Sequence, residues 1–318
     1  MIGPVLAPLV AVHHVTLHHF TFFQAIIIGL VQGVTELFPI SSLGHAVLLP
    51  HWLGGSWARA VGDESVGESP YLAFIVVLHV ATALALLVFF WREWIAIVKG
   101  LFRSIARRKV ETVHERMAWL IVIATIPAGI TGLALEHELR VVFAKPLAAA
   151  IFLTVNGFIL FGGEQLRRRA VARADAELQP ATEVPDIELD AAVVRRVRPK
   201  DAVWIGLAQT FALLAGISRS GITMVTGLAR GLDHEQAVRF SFMLATPIIL
   251  AAGLLKIPDF TGPLGDGIRG QALAGAAAAF VGALLATKFL TRYFQTNRLN
   301  PFAIYCLVAG AASIVRFA

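Results

Sequence analysis

Long apolar runs alternate with shorter polar segments along this chain. Six runs have about the 20 residues that one membrane-spanning helix needs, and they are 71–90, 118–135, 147–163, 239–255, 271–289 and 301–317. Runs of this length favour helices over a transmembrane β-barrel, whose strands give short alternating segments. The pattern therefore predicts an all-α, polytopic membrane protein with six full transmembrane helices.

Two further apolar stretches, 22–53 and 203–232, are interrupted near their middle. Glycine and serine interrupt both, Pro39 also interrupts the first, and each half is too short to cross a bilayer alone. Non-helical backbone at membrane depth survives only where protein or a water-filled cavity surrounds it. We therefore expect two re-entrant helix hairpins, in which the chain enters the membrane, breaks and returns on the same side.

The two interruptions resemble each other at a fixed offset of 177 residues. When "QGVTELFPISSLGHA" (32–46) is laid over "QTFALLAGISRSGIT" (209–223), the identical pairs are Gln32 with Gln209, Leu37 with Leu214, Ile40 with Ile217, Ser41 with Ser218 and Gly44 with Gly221. Three spans follow each interruption, and because three is odd, the second half must enter with the opposite orientation. The pattern predicts an inverted-topology repeat, whose site lies near the midplane where the broken helices meet.

This repeat divides the chain into four predicted parts. They are an N-terminal interfacial segment (1–21), a first repeat (22–163), a flexible cytoplasmic loop (164–200) and a second repeat (201–318). The histidines of "HHVTLHH" (13–19) raise the question of a metal site, but no carboxylate lies nearby, and an interfacial helix is the favoured interpretation. No secretory signal peptide is expected, since the first 21 residues lack a basic start and a small-residue cleavage site.

Charge supports the membrane assignment. Only 15% of the 318 residues are charged, against about 25% in a typical soluble domain. The net charge is +6, and Lys and Arg concentrate in 91–117, 164–200 and 288–300. Under the positive-inside rule these segments are cytoplasmic and both termini lie outside. Basic stripes with interleaved aromatics are not seen, so no nucleic-acid partner is expected. The only cysteine, Cys306, excludes a disulfide within one chain.

The first interruption carries acidic and nucleophilic side chains. Gln32 and Glu36 are four residues apart and share one helix face, Pro39 ends the helix, and His45 opens the next one. An ionised residue at mid-bilayer costs about 2.5–3.5 kcal/mol, so Glu36 needs a partner or a cavity. Plainer roles stay open, namely backbone hydrogen bonding for Glu36, helix capping for the serines and packing for His45.

The second interruption, "GISRSGIT" (216–223), predicts a phosphate cradle. Glycine lets successive N–H groups turn toward one anion, and the helix that begins near Gly221 adds its positive end. The planar guanidinium of Arg219 fits phosphate oxygens in a bidentate way. Alternatively, Arg219 only pairs with Glu36 to lock the hairpins, which would not exclude function. A carboxylate with an apposed phosphate can also hold Mg²⁺ or Ca²⁺, and serine or histidine can attack phosphorus or activate water.

Five motifs resemble the undecaprenyl-diphosphate phosphatases of the bacitracin-resistance type. They are "QGVTELFPISSLGH" (32–45), "LHVATALALLVFFWREW" (78–94), "GISRSGIT" (216–223), "FSFMLATP" (240–247) and "NPFAIY" (300–305). The resemblance implies removal of the terminal phosphate from a C55 polyprenyl diphosphate, which recycles the cell-wall lipid carrier and gives bacitracin resistance. It also implies a divalent cation and a bacterial inner (plasma) membrane location, with the site open to the outer face.

The family motifs also imply roles for individual residues. The implied catalytic residues are Glu36, Ser42, His45 and Arg219, with Glu36 also as the metal ligand. The implied substrate-binding residues are Gln32, Ser41, Gly44, Gly216, Ser218, Ser220, Gly221 and Thr223. The chain departs from the family pattern at Ala215, where proline is usual, and at Cys306, where arginine is common.

Several alternatives stay open at this point. Ser42, His45 and water each remain eligible as the nucleophile. A transporter or flippase of a phosphorylated lipid or solute is the main alternative function, since inverted repeats with broken helices are typical of transporters. A scaffold or channel without turnover would leave Glu36, His45 and Arg219 unexplained. A homodimer is neither predicted nor excluded.

Overall fold

The computed structural model describes residues 20–61, 69–143, 145–174 and 186–318, and every regular element in these ranges is helical. The thirteen α-helices described there are α1 (Phe22–Leu37), α2 (Ser42–Leu53), α3 (Gly55–Val61), α4 (Pro70–Phe89), α5 (Trp91–Arg107), α6 (Val113–Phe143), α7 (Pro146–Ala174), α8 (Asp186–Arg196), α9 (Pro199–Thr210), α10 (Arg219–Ala229), α11 (His234–Thr261), α12 (Arg269–Thr296) and α13 (Asn300–Phe317). The all-α prediction is confirmed for this part of the chain. The histidines of 13–19 lie outside the described residues.

The six predicted spans are confirmed as helices long and apolar enough to cross a membrane. They are α4, α11, α12, α13, the Val113–Leu135 part of α6 and the Pro146–Arg169 part of α7. Polar residues cap the N-termini of α4 and α11. The Ser69 hydroxyl accepts a hydrogen bond from the Leu72 N–H at the start of α4, and Asp233 forms a capping box with Gln236 at the start of α11.

Both predicted interruptions are breaks between short helices. The first separates α1 from α2 over four residues that include Pro39. In the second, α9 tightens into a 3₁₀ turn at Phe211–Leu213 before α10 begins at Arg219. One residue of each break has a left-handed backbone, Ser41 with φ of 69° and Gly216 with φ of 110°. The chain therefore turns sharply within both interruptions, directly before α2 in the first and three residues before α10 in the second.

Close backbone contacts join the two halves of the chain. Gly33 of α1 lies against the backbone of Ala279 in α12, and Gly206 of α9 lies against the backbone of Ala124 in α6. Small residues allow this approach where lipid provides no hydrophobic driving force between helices. The spans also pair across the halves, α4 with α11 and α7 with α13.

The loop predicted to be flexible, 164–200, is helical where the structure describes it. α7 continues to Ala174, and α8 buries Leu189, Asp190 and Val193. The Asp190 carboxylate accepts a hydrogen bond from Nε of Arg239 in α11 at 2.7 Å. The central residues, 175–185, lie outside the described part of the chain. Leu189, Val193 and Val197 are four residues apart, which is the spacing of one helix face. The charged residues around them made this apolar face hard to recognise from the sequence.

Candidate active site

Glu36 lies in the last turn of α1 and is only 7% exposed. Its Oε1 accepts a hydrogen bond from Nη2 of Arg219 at 2.9 Å, across 183 positions of sequence. Its Oε2 accepts from Nε2 of Gln32 at 3.1 Å and from the Ser42 hydroxyl, and lies 3.2 Å from Nε2 of His79. The structure thus brings the acidic residue of one interruption against the arginine of the other.

Ser41 joins the two interruptions directly. Its Oγ accepts a hydrogen bond from the Gly44 N–H at 3.2 Å, which caps α2, and another from the Gly216 N–H at 3.1 Å. The two glycines pack against each other, since a Cβ added at Gly44 would lie 3.0 Å from Gly216 Cα. Ser41, Gly44 and Gly216, which the family motifs suggest for substrate binding, therefore form the joint between the breaks.

The hydroxyl groups of the second interruption are engaged in holding it together. The Ser218 Oγ accepts from the Gly221 N–H at 3.1 Å and lies 3.0 Å from the Ser220 Oγ, which donates to a carbonyl of the first break. The Thr223 Oγ1 lies 2.6 Å from the Ser241 Oγ of α11. These contacts stabilise the break.

One buried amide, Asn156 of α7, ties the two breaks together and was missed from the sequence. Its Nδ2 donates to the Pro39 carbonyl at 3.0 Å and lies 3.3 Å from the Cys306 sulfur. Its Oδ1 accepts from the Ser218 N–H at 2.9 Å. A fully buried asparagine inside an apolar run needs such partners, and this is the signal that could have identified it.

A cavity of about 290 Å³ opens beside the Glu36–Arg219 pair. Ile75 of α4 and Ile248 of α11 contribute to its largely apolar walls. Its polar and charged lining residues are Glu36, Ser41, Ser42, His79, Gln209, Ser218, Arg219 and Lys256. A carboxylate, an arginine and hydroxyls inside an apolar enclosure suit a phosphorylated head that is attached to a hydrocarbon chain.

The two histidines near the breaks occupy different positions. His45 is not among the residues lining this cavity, and its Nδ1 lies 2.7 Å from the Ser41 carbonyl and its Nε2 2.7 Å from the Tyr305 hydroxyl. His79 does line the cavity, and its Nδ1 donates to the Ile75 carbonyl at 2.9 Å, which leaves Nε2 facing Glu36. His79 was missed from the sequence, although a histidine inside an apolar run is itself a functional signal.

The carboxylate of the Glu36–Arg219 pair provides oxygen donors for a divalent cation. Among the described residues, no group of three or more His, Cys, Asp and Glu side chains could hold a metal. The Glu36 carboxylate nevertheless lines the cavity, whereas Gln32 turns its Nε2 toward Glu36 and keeps its Oε1 as a buried oxygen without a hydrogen-bond partner. Mg²⁺ commonly uses one or two protein carboxylates together with substrate phosphates and water. The donor set fits a cation that takes most of its ligands from a bound diphosphate.

Comparison with known proteins places this chain in a family. The model of the bacitracin resistance protein BacA matches residues 25–312. The chain belongs to the BacA family. An undecaprenyl-diphosphatase of Mycolicibacterium paratuberculosis is 58% identical over 93% of this chain and 97% of the relative. Undecaprenyl-diphosphatase 2 of Frankia alni is 52% identical over 95% of this chain and 99% of the relative, and an undecaprenyl-diphosphatase of Gluconobacter oxydans is 43% identical over 91% and 96%.

The BacA match covers both interruptions and every residue that lines the cavity. The resemblance inferred from the five motifs is therefore confirmed. The relatives are similar over almost their full lengths, so the likeness concerns the whole helical unit and not a shared segment.

Proposed function

We propose that this protein is an integral membrane phosphatase that hydrolyses undecaprenyl diphosphate to the monophosphate and inorganic phosphate. This reaction recycles the lipid carrier of cell-wall synthesis and gives resistance to bacitracin. Membership of the BacA family and the names of the relatives support this function. The structural observation that supports it best is the buried Glu36–Arg219 pair at a cavity with apolar walls.

Arg219 is the proposed anion-binding residue. In the structure its guanidinium pairs with Glu36, and the Arg219 side chain lines the cavity and is 13% exposed. A diphosphate offers several anionic oxygens in the geometry that a guanidinium binds in a bidentate way. Binding the terminal phosphate would exchange one carboxylate partner for a phosphate partner, so the arginine would remain compensated. The same exchange would release Glu36 for proton transfer.

The contacts of Glu36 favour Ser42 or a water molecule as the nucleophile. The Ser42 hydroxyl already donates to Glu36 Oε2, so an acceptor for its proton is in place. Attack by water on the terminal phosphorus breaks the bond to the bridging oxygen and releases the lipid monophosphate and inorganic phosphate. Attack by the Ser42 Oγ releases the lipid monophosphate and leaves a phosphoserine, which water then hydrolyses to free serine and inorganic phosphate. His79 Nε2 lies 3.2 Å from the same carboxylate oxygen and can exchange that proton.

His45 has a supporting role in this proposal. Both of its ring nitrogens have partners, and its ring stacks on Tyr305 with centroids 5.7 Å apart. It therefore holds the start of α2 against α13 and so positions Ser42. A divalent cation held by Glu36 would neutralise charge on the phosphates when bound.

We also infer the inverted-topology repeat, with 22–163 and 201–318 as its halves and two re-entrant hairpins. The exchange of packing partners supports it: α1 of the first half packs on α12 of the second, and α9 of the second packs on α6 of the first. The corresponding spans pair with each other, α4 with α11 and α7 with α13. With the basic segments in the cytoplasm, the first hairpin enters from outside and the site opens to the outer face of the inner (plasma) membrane.

Phosphate release in detergent tests this function. The purified protein is incubated with a polyprenyl diphosphate, with and without EDTA, and free phosphate is measured. Detergent abolishes transport but leaves hydrolysis intact, so the absence of release would favour the transporter or flippase alternative. Arg219→Ala should lower kcat about 10³-fold, as loss of a charge-stabilising donor does. Arg292→Ala, at an exposed arginine of α12, is the matched control. Near-normal turnover by Arg219→Ala would contradict the proposed anion site.

A further inference from the structure

Helix α5 carries an exposed apolar stripe although it is too polar to cross a membrane. Five of its seventeen residues are charged. Its large exposed apolar side chains are Trp91 (53% exposed), Ile95 (44%), Val98 (44%), Phe102 (67%) and Ile105 (53%). At about 100° per residue they fall within an arc of about 80°. α5 is therefore amphipathic, and its apolar face does not pack against the protein.

A basic stripe lies beside the apolar one. Arg92, Lys99, Arg103 and Arg107 occupy an adjacent arc of about 80°, and all four are exposed. Arg108 and Lys109 continue the basic surface beyond the end of the helix. An apolar face bordered by Lys and Arg is the pattern of a helix that lies in a membrane interface.

The third face of α5 attaches it to the ends of membrane-spanning helices. The buried residues of this face are Ile97, Gly100 and Ser104. The Ser104 Oγ accepts a hydrogen bond from Nε1 of Trp119 at 2.9 Å, within the first two turns of α6. Glu93 lies 3.6 Å from Arg239, near the start of α11. α5 follows α4 directly, so it runs across the ends of three spans on one side of the molecule.

We propose that α5 lies in the plane of the membrane surface and that its basic stripe binds the headgroups of anionic phospholipids. The attachment to span ends places the helix at the depth of the headgroups. Its apolar stripe then enters the acyl region, and the adjacent arginines and lysines meet the lipid phosphates. A water-soluble acidic partner would leave the apolar stripe exposed to water, so charge and apolarity together select a lipid surface. This inference does not depend on the proposed phosphatase activity.

Fluorophore depth tests the orientation of α5. A thiol-reactive dye is placed at Phe102→Cys on the apolar stripe or at Lys99→Cys on the basic stripe, in nanodiscs that contain phospholipids brominated on their acyl chains. The wild-type chain, whose only cysteine is buried, is the labelling control. We expect the dye at position 102 to be quenched at least twofold more than the dye at 99. Equal quenching at both positions, or none at either, would overturn the proposal.

Lipid retention tests the charge component. The protein is equilibrated with equal amounts of phosphatidylglycerol and phosphatidylcholine, and the retained lipids are measured by native mass spectrometry. The test variant carries Lys99→Gln, Arg107→Gln and Lys109→Gln, which leaves the Arg103–Glu115 contact intact. The control variant carries three other exposed changes, Arg169→Gln, Arg195→Gln and Lys200→Gln.

One basic residue near an anionic surface changes affinity about fivefold. The ratio of retained phosphatidylglycerol to phosphatidylcholine should therefore fall at least about fivefold in the α5 variant and stay at the wild-type value in the control. An unchanged ratio in the α5 variant, or an equal fall in the control, would contradict binding at α5.

Discussion

Replacing Asn156 with leucine should separate the two interruptions while changing no residue of the cavity lining. Leucine has a similar size but neither a donor nor an acceptor. The change removes the hydrogen bond from Nδ2 to the Pro39 carbonyl at 3.0 Å and the hydrogen bond from the Ser218 N–H to Oδ1 at 2.9 Å. Asn156 is fully buried, so water cannot replace either bond.

The cost follows from the Ser218 N–H, which is left without a partner, and from the Pro39 carbonyl, which keeps only a weak contact with the Cys306 sulfur at 3.9 Å. A buried unsatisfied group costs about 1–3 kcal/mol, so the substitution should cost at least that much. The protein can avoid this cost only by moving the breaks apart until the groups find water, and this movement also separates Glu36 from Arg219. A displacement of about 1 Å at reacting groups lowers the rate about 10²-fold. We therefore expect kcat to fall by about two orders of magnitude, with a lower Tm.

Phosphate release and thermal unfolding in detergent measure the two effects. Thr154→Val is the matched control, since Thr154 lies on the same helix and its hydroxyl donates only to the Ala150 carbonyl one turn earlier, at 3.0 Å. The control should keep both kcat and Tm close to wild type. If Asn156→Leu turned over at the wild-type rate with an unchanged Tm, the amide would not be the link between the breaks.

Substitutions at four further residues test individual contacts of the site. Ser42→Ala should lower kcat about 100-fold in the phosphate-release assay because Glu36 loses the hydroxyl proton it accepts; a change in KM alone would contradict this. His79→Leu should lose about 100-fold and His79→Gln clearly less, since glutamine keeps a polar partner for Glu36; equal losses would contradict a role through that contact. His45→Phe should lose less than about tenfold, since the stacking on Tyr305 survives; a loss as large as that of Arg219→Ala would place His45 in the chemistry. Gly216→Ala should lower Tm by several degrees, because φ of 110° is strained for alanine and its Cβ would meet the backbone of α7; an unchanged Tm would show that the break can relax.

The six spans and two breaks could be predicted because lipid imposes a simple rule on the chain. Every backbone group within a bilayer must find an internal partner, so long apolar runs become helices and interruptions mark places that protein or water encloses. The sequence also allows the pairing of Glu36 with Arg219 to be expected, since two opposite charges within apolar stretches gain most by meeting. The spans, the breaks and this pairing can be predicted without knowing how one helix packs against another.

The residues that were missed depend on that packing. Asn156 and His79 lie within full spans, and the hydropathy of a run does not say which side of the helix faces the breaks. His79 reaches Glu36 because α4 packs between α1 and α11. Asn156 reaches both Pro39 and Ser218 because α7 contacts α2 and α10. A polar residue inside an apolar run can be recognised from sequence, but its partner becomes known only when the helices are placed.

His45 shows that nearness in sequence does not decide which side chains contact Glu36. Ser42 and His45 are three residues apart, a spacing that puts two side chains on one face of a regular helix. Ser42, however, is the first residue of α2, directly after the left-handed turn at Ser41, and its hydroxyl points back to Glu36. His45 lies one turn further along, where Tyr305 of α13 binds its ring. Ser42 thus contacts Glu36 and lines its cavity, His45 contacts Tyr305, and both line a smaller pocket together with Gln32, whereas His79 meets Glu36 from a different span.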